Sequence, residues 1–212
     1  MKSRIAVVSI AVFGLLAGLV VSAWLSNQGP EDPNPLLKDA TALFGQERPL
    51  PAFQLEDHNG ERFDGRRLQG RWTLLFFGYT FCPDVCPLTM SNIGITLEKL
   101  PDNVPEGALQ VGFVTVDPKR DTRERLAQYV PFFNPDFIGI TGEKIQIDTL
   151  VRALGGVYQF GEPDEHGNYI VDHSSRLLLI DPQGRFNAIL SDRAAPEVLA
   201  GDLETLFKAY AG

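Results

Sequence analysis

The run Trp72-Thr-Leu-Leu-Phe-Phe-Gly78 is uncharged, continuous in its apolar character, and bounded by Gly70 and Gly78. It is too short for an ordinary helix and does not alternate, so it reads as a strand buried on both faces. Such a strand needs a packed layer on each side. A second run of the same kind follows at Leu109 to Val116. Between them Leu88, Ile93, Leu97 and Leu100 keep helical spacing, so Pro87 to Leu100 is predicted to be an amphipathic helix that Pro101 ends. Asp121-Thr-Arg-Glu124 then resembles a capping box with Asp121 as the cap, opening a further helix. Strand, helix, strand, helix gives an α/β fold.

The remaining segments extend the pattern. Ala52 to Leu55 and Arg62 to Phe63 flank Asp57-His58-Asn59-Gly60, which suits a hairpin turn. A strand is expected at Phe137 to Ile140, and a helix at Glu143 to Leu154 that stops at Gly155-Gly156. Val157 to Phe160, Tyr169 to Val171, Arg176 to Ile180 and Phe186 to Leu190 read as strands, the last two joined as an antiparallel hairpin by Asp181-Pro-Gln-Gly184. Leu199, Leu203, Leu206 and Tyr210 mark a terminal helix covering the sheet. The expectation is a central mixed sheet with helices on both faces.

The chain's 212 residues suffice for one well-buried domain and a tail. From Ile5 to Leu25 there is no charge, and twenty-one helical residues span about 31 Å, close to the bilayer hydrocarbon thickness. Residues 1–25 therefore read as a short cytoplasmic stub and a transmembrane anchor. Lys2 and Arg4 precede the run and no basic residue comes after it until Lys38, which places the remainder of the chain outside the cytoplasm. Val21-Ser22-Ala23 loosely resembles a signal cleavage site, but the apolar run continues through Trp24 and Leu25. Residues 26–45, rich in Pro and charge, read as a linker with a short helix at Leu36 to Phe44, and 46–212 as the domain. Beyond the anchor, 17 basic residues face 27 acidic ones, which argues against nucleic acid as a partner.

Chemistry concentrates in Phe81-Cys-Pro-Asp-Val-Cys-Pro87, between a buried strand and a helix, which holds both cysteines of the chain. Residues four apart share a helical face, so the two sulfurs can converge, and a helix N-terminus favours the thiolate that binds metals and attacks disulfides. A purely structural disulfide is the weaker reading, since so small a loop removes little chain entropy from the unfolded state. Redox cycling and metal binding both stay open at this level. Of the three histidines, His58 and His166 lie in turn-like stretches and read as exposed, whereas His173 sits in Val171-Asp-His-Ser-Ser175 before an apolar strand. Two thiolates and an imidazole suit copper, because soft sulfur favours Cu(I) and nitrogen helps retain Cu(II). A closed zinc site would want a fourth protein ligand.

Leu75-Phe-Phe-Gly-Tyr-Thr-Phe-Cys-Pro-Asp-Val-Cys-Pro87, Val116-Asp-Pro-Lys-Arg-Asp-Thr122, Phe137-Ile-Gly-Ile-Thr-Gly142, Val171-Asp-His-Ser174 and Leu179-Ile-Asp-Pro-Gln-Gly184 together resemble the Sco/SenC family, over roughly Pro51 to Leu206. The resemblance implies a thioredoxin-like domain with an additional β-hairpin. It implies one copper, as Cu(I) or Cu(II), on Cys82, Cys86 and His173, and a role in building the CuA centre of cytochrome c oxidase. The implied partners are the oxidase subunit carrying that centre and a separate copper carrier as donor. The implied location is the periplasmic face of a bacterial inner membrane. Asp117 matches an acidic residue near the family's metal site and is also readable as a turn residue before Pro118. Asp84, between the cysteines, reads as exposed. Many relatives have His where Phe81 stands, a departure that leaves the three ligands intact. The resemblance equally admits a thiol-disulfide oxidoreductase that keeps the CuA cysteines reduced through Cys82 and Cys86, with Cys82 attacking. The three residues between the cysteines and the separate histidine favour the carrier, since dithiol oxidoreductases usually have two between.

Overall fold

The computed structural model describes residues 31–102, 104 and 107–210, with Gly18 alone before them. The expected anchor at residues 5–25 thus falls, but for Gly18, outside the described residues. Among the described residues no helix is long and apolar enough to cross a membrane.

Eleven strands and four α-helices succeed one another among the described residues after Pro33. They are β1 (Thr41–Ala42), β2 (Arg48–Pro49), β3 (Gln54–Asp57), β4 (Arg62–Asp64), β5 (Trp72–Gly78), α1 (Val85–Glu98), β6 (Leu109–Thr115) and α2 (Arg123–Tyr129). Then come β7 (Ile138–Thr141), α3 (Lys144–Ala153), β8 (Tyr158–Phe160), β9 (Val171–His173), β10 (Leu177–Ile180), β11 (Arg185–Leu190) and α4 (Pro196–Ala209). The main sheet runs β1-β11-β10-β5-β6-β7-β3-β4, with β2 also on β11. Strands β5, β6 and β7 are parallel, and β10, β11, β3 and β4 flank them antiparallel. This is the expected mixed sheet. Strands β8 and β9 pair only with each other, as a separate two-stranded sheet.

All seven residues of β5 are buried. Trp72, Leu74 and Phe76 pack with Met90 and Ile93 of α1 and with Leu199, Leu203 and Leu206 of α4. Leu75 and Phe77 face the other way, against Ile147, Leu150 and Val151 of α3. Each such side chain contributes about 1.5–3 kcal/mol by leaving water, so β5 ties both layers into one body. Its C-terminal end points at the cysteines.

Several sequence expectations change. Residues 31–45 are not a spacer: Ala40 and Ala42 are buried, and the buried carboxylate of Asp202 accepts the backbone N–H groups of Lys38, Asp39 and Ala40, each at 2.8 Å. Held by those bonds, the segment bends at Lys38 and Asp39 after a short 3₁₀ turn at Asn34–Leu36 and enters β1 at Thr41. Helix α1 begins at Val85, two residues before Pro87. A first-turn proline is tolerated because its missing N–H has no helical partner anyway.

Asp121 is not the cap of α2. Thr122 is, its hydroxyl accepting from Arg125 N–H at 3.3 Å. Asp121 is fully buried, taking Thr80 N–H at 2.9 Å, Thr80 Oγ1–H at 2.7 Å and Thr115 Oγ1–H at 2.7 Å. It pins the loop after β5 to the end of β6. Burial raises its carboxyl pKa, against the opposing pull of the two threonines. A carboxyl raised in the folded state adds stability below its ordinary range near 4, and that contribution is lost as pH rises through the folded value. Asp121→Asn, nearly isosteric and without charge, should therefore lag wild type most in acid, with the melting-temperature gap narrowing as pH rises. Melts of both proteins at stepped pH check this; a gap that widens with pH would contradict it.

His58 is likewise not an exposed turn residue. It is half-buried, with Nδ1 accepting Gly139 N–H at 2.9 Å while His58 N–H donates to Gly139 O at 2.7 Å, which fastens the hairpin turn to β7. His166 is exposed as expected.

Candidate metal centre

Cys82 lies in the loop between β5 and α1, and Cys86 in the first turn of α1. The loop folds back so that Cys86 N–H donates to Cys82 Sγ at 3.5 Å. The sulfurs thus converge because a turn precedes the helix, not because both cysteines share a helical face. His173, expected in the connection before β10, is the last residue of β9, since the β8 register pairs Tyr158 with His173 and Phe160 with Val171. Its Nε2 stands 3.5 Å from Cys86 Sγ. The three ligand atoms lie within 4.8 Å of one another, the one group of three or more His, Cys, Asp or Glu among the described residues placed to hold a metal.

The imidazole is oriented from behind. With the Nδ1 proton on the Ser174 carbonyl at 3.0 Å, Nε2 is left with its lone pair towards the sulfurs. The ring stands edge-on to Tyr79 (centroids 5.9 Å, 89°) and to Phe76 (6.2 Å, 72°). Cys86 is fully buried, Cys82 and His173 half-buried, and neither cysteine is in a disulfide. The site is therefore open on the side of Cys82 and His173. Burial pushes the Cys86 thiol well above its ordinary pKa, so the expected helix-terminus activation loses to desolvation at that residue. Without a metal Cys86 is a poor attacking thiol.

Asp117 is buried, its carboxylate paired with Arg120 Nε and accepting Tyr169 O–H at 3.1 Å. Its hydrogen bonds do not reach the three ligands directly. Arg120, which the sequence places in a motif without giving it a role, lies over Tyr169 (3.6 Å to the ring centroid), Phe81 (4.9 Å) and Tyr79 (5.5 Å). Phe81 is half exposed, with the Arg125 guanidinium also over its ring at 5.2 Å. Asp84 is exposed, as expected. The aromatic residues flanking the cysteines and the histidine are the only sequence signal that points to this cluster.

The donor set fits a soft metal. Two sulfurs and one imidazole nitrogen match copper better than a hard cation, and a fourth protein ligand for structural zinc is missing from the described cluster.

The comparisons agree. A family model described as SCO1/SenC matches residues 43–208. A putative copper-binding protein of Stutzerimonas stutzeri is 40% identical over 154 residues, which are 72% of this chain and 74% of that protein. The mitochondrial SCO1 homolog of Homo sapiens is 31% identical over 202 residues, 95% of this chain and 67% of that protein. The solved structure of Bradyrhizobium japonicum ScoI with copper bound matches with a TM-score of 0.66 at 33% identity, over 74% of this chain and 98% of that one. The fold is thus the thioredoxin-like one that the sequence implied, and the chain belongs to the SCO1/SenC family.

Proposed function

We propose that this protein is a copper carrier of the extracytoplasmic face of a membrane, which holds one copper on Cys82, Cys86 and His173 and passes it to the CuA centre of cytochrome c oxidase. The observation that carries the reading is the convergence of two sulfurs and Nε2 within 4.8 Å, with one ligand buried and two half-buried. Copper is the cargo. Its exit is by ligand exchange: an incoming thiolate of the partner approaches past Cys82 and His173, the two half-buried ligands, while buried Cys86 keeps its hold until last. Three protein ligands leave room for that approach. Asp117 acts behind the ligands, through Arg120 and Tyr79. The apolar run at residues 5–25 serves as the anchor that keeps the domain at the membrane.

A second reading, dithiol chemistry on the same cysteines, is favoured by their asymmetry, since Cys82 is accessible and Cys86 buried. Cys82 would then attack, with resolution by Cys86 slowed by the burial that raises its thiol pKa.

Copper titration of the reduced full chain, purified in mild detergent, separates the two. One copper retained per chain through dialysis is expected. His173→Ala should keep Cu(I) on the cysteine pair but weaken Cu(II) by more than the roughly 10- to 100-fold that loss of a group behind a ligand costs a metal site. Unchanged Cu(II) binding in that variant would remove His173 from the site, and no retained copper beside a readily cycling disulfide would favour the oxidoreductase.

A further inference from the structure

The strand that carries His173 belongs to no part of the main sheet. Strands β8 and β9 are hydrogen-bonded to each other and, among the described residues, to no other strand. The bonds Ser174 N–H to Val157 O, Gly161 N–H to Ile170 O and Asp164 N–H to Asn168 O all close within the hairpin. Its position against the cysteines therefore rests on the burial of Val171 in the core cluster of Leu75, Phe77 and Tyr79 and on two polar side-chain tethers. One is at β8, where Tyr158 O–H donates to Asp148 and Lys144 Nζ donates to Tyr158 at 2.8 Å. The other is at the entry to β9. There Arg120 Nη1 donates to Tyr169 O at 3.0 Å, its guanidinium lies 3.6 Å from the Tyr169 ring centroid, and Tyr169 O–H donates to Asp117.

Arg120 also reaches the cysteine side. Its guanidinium flanks Tyr79, which stands edge-on to the His173 ring, and Phe81, the residue before Cys82. Asp117 fixes the guanidinium by its ion pair, and Asp117 is anchored in turn by its N–H bond to Thr115 Oγ1 at 2.9 Å, at the end of β6. A planar cation with several donors can stack on one face and bond at its edge at once, which a lysine ammonium cannot do. One buried acid thus holds one arginine, and the arginine holds both the histidine strand and the aromatic wall beside the cysteines.

We propose that Arg120, set by Asp117, is a positioning residue for His173: by clamping Tyr169 and flanking Tyr79 it fixes β9 where Nε2 meets both sulfurs. The inference rests on the ligand set proposed above. Releasing the clamp turns a three-donor site into a two-sulfur site. That change spares Cu(I), which is content with two thiolates, and penalises Cu(II), which needs the nitrogen.

The test uses the full chain in two states. In the metal-free protein, Arg120→Ala should speed amide exchange at 158–160 and 171–173 while the amides of β5 and β6 keep wild-type rates. In the copper-loaded protein, the same variant should lose the imidazole-nitrogen couplings from the Cu(II) paramagnetic resonance spectrum and release Cu(II) roughly 10- to 100-fold faster, with Cu(I) retained. Arg120→Lys, which keeps the charge but not the stacked plane, should fall between. Wild-type exchange in the hairpin, or wild-type nitrogen couplings in a variant whose hairpin has loosened, would overturn the proposal. Failure of the underlying ligand set looks different: His173→Ala itself would then keep the nitrogen couplings. Should Arg120→Ala not fold, Tyr169→Phe removes only the hydroxyl on Asp117, and it should move both readouts the same way by less; no movement in either would overturn the proposal.

Discussion

Replacing both Cys82 and Cys86 by serine should abolish copper retention, taking the metal content from about one per chain to below about a tenth, because a neutral hydroxyl is a hard, weak ligand where the metal wants soft thiolate sulfur. The two single variants should not be equivalent. Cys82→Ser changes a half-buried position and leaves Cys86 Sγ facing Nε2 at 3.5 Å, so a weakened sulfur–nitrogen pair survives. Cys86→Ser also buries a hydroxyl among Met90, Phe76 and Phe113, where loss of hydration costs about 1–3 kcal/mol unless a partner is found. It should therefore lose stability as well as metal. Metal analysis after dialysis, with melting curves of the apo proteins, reads both quantities. One copper held per chain with both sulfurs gone would exclude the centre altogether.

Gly78→Val should be the most destabilising single change near the site. Gly78 is buried at the end of β5. A Cβ built there would meet Phe113 Cε2 at 2.6 Å, Cys86 Sγ at 3.0 Å and Phe113 Cζ at 3.1 Å. Both obstacles are themselves fully buried and have nowhere to move, so overpacking should cost about 3 kcal/mol, at the upper end of its usual range. In a chain of this size that is roughly a 10 °C fall in melting temperature. Gly78→Ala should show the same direction at smaller amplitude, and both should release copper faster than wild type because the displaced atom includes a ligand sulfur. Calorimetry of the apo variants decides the first claim. A Gly78→Ala protein that melts with wild type would mean that Phe113 relaxes freely.

How much of the molecule is legible in the sequence depends on how local each cause is. The limits of β5 at Trp72 and Gly78 are legible, and those of α3 within one residue at each end, because burial on two faces and one-sided helical spacing are written along the chain. The pairing of β10 with β11 is legible from a turn between two apolar runs. The larger failures involve partners far away in sequence. Residues 38–40 are bound to Asp202 and not helical, His58 is half-buried because of Gly139, and Asp121 is engaged by Thr80 and Thr115 rather than by the helix it precedes. At the site, the cysteine pair is visible from its spacing and position. Arg120 is not, since nothing local in Val116-Asp-Pro-Lys-Arg-Asp-Thr122 says that one cation will lie on three aromatic rings.

The separate stitching of the β8–β9 hairpin has a thermodynamic consequence. A region that, among the described residues, shares no ladder with the main body is expected to open ahead of it, at a free energy below global unfolding. Metal held on Cys82, Cys86 and His173 as proposed would be a crosslink between that unit and the core, and whatever binds only the closed form stabilises it by an amount that grows with the logarithm of its affinity. Such a cargo would tighten the smaller unit far more than the larger. A loaded and an empty molecule would then differ chiefly in how long the flap stays shut, and the occupancy of the centre would be displayed on the surface as a change in local lifetime rather than in shape.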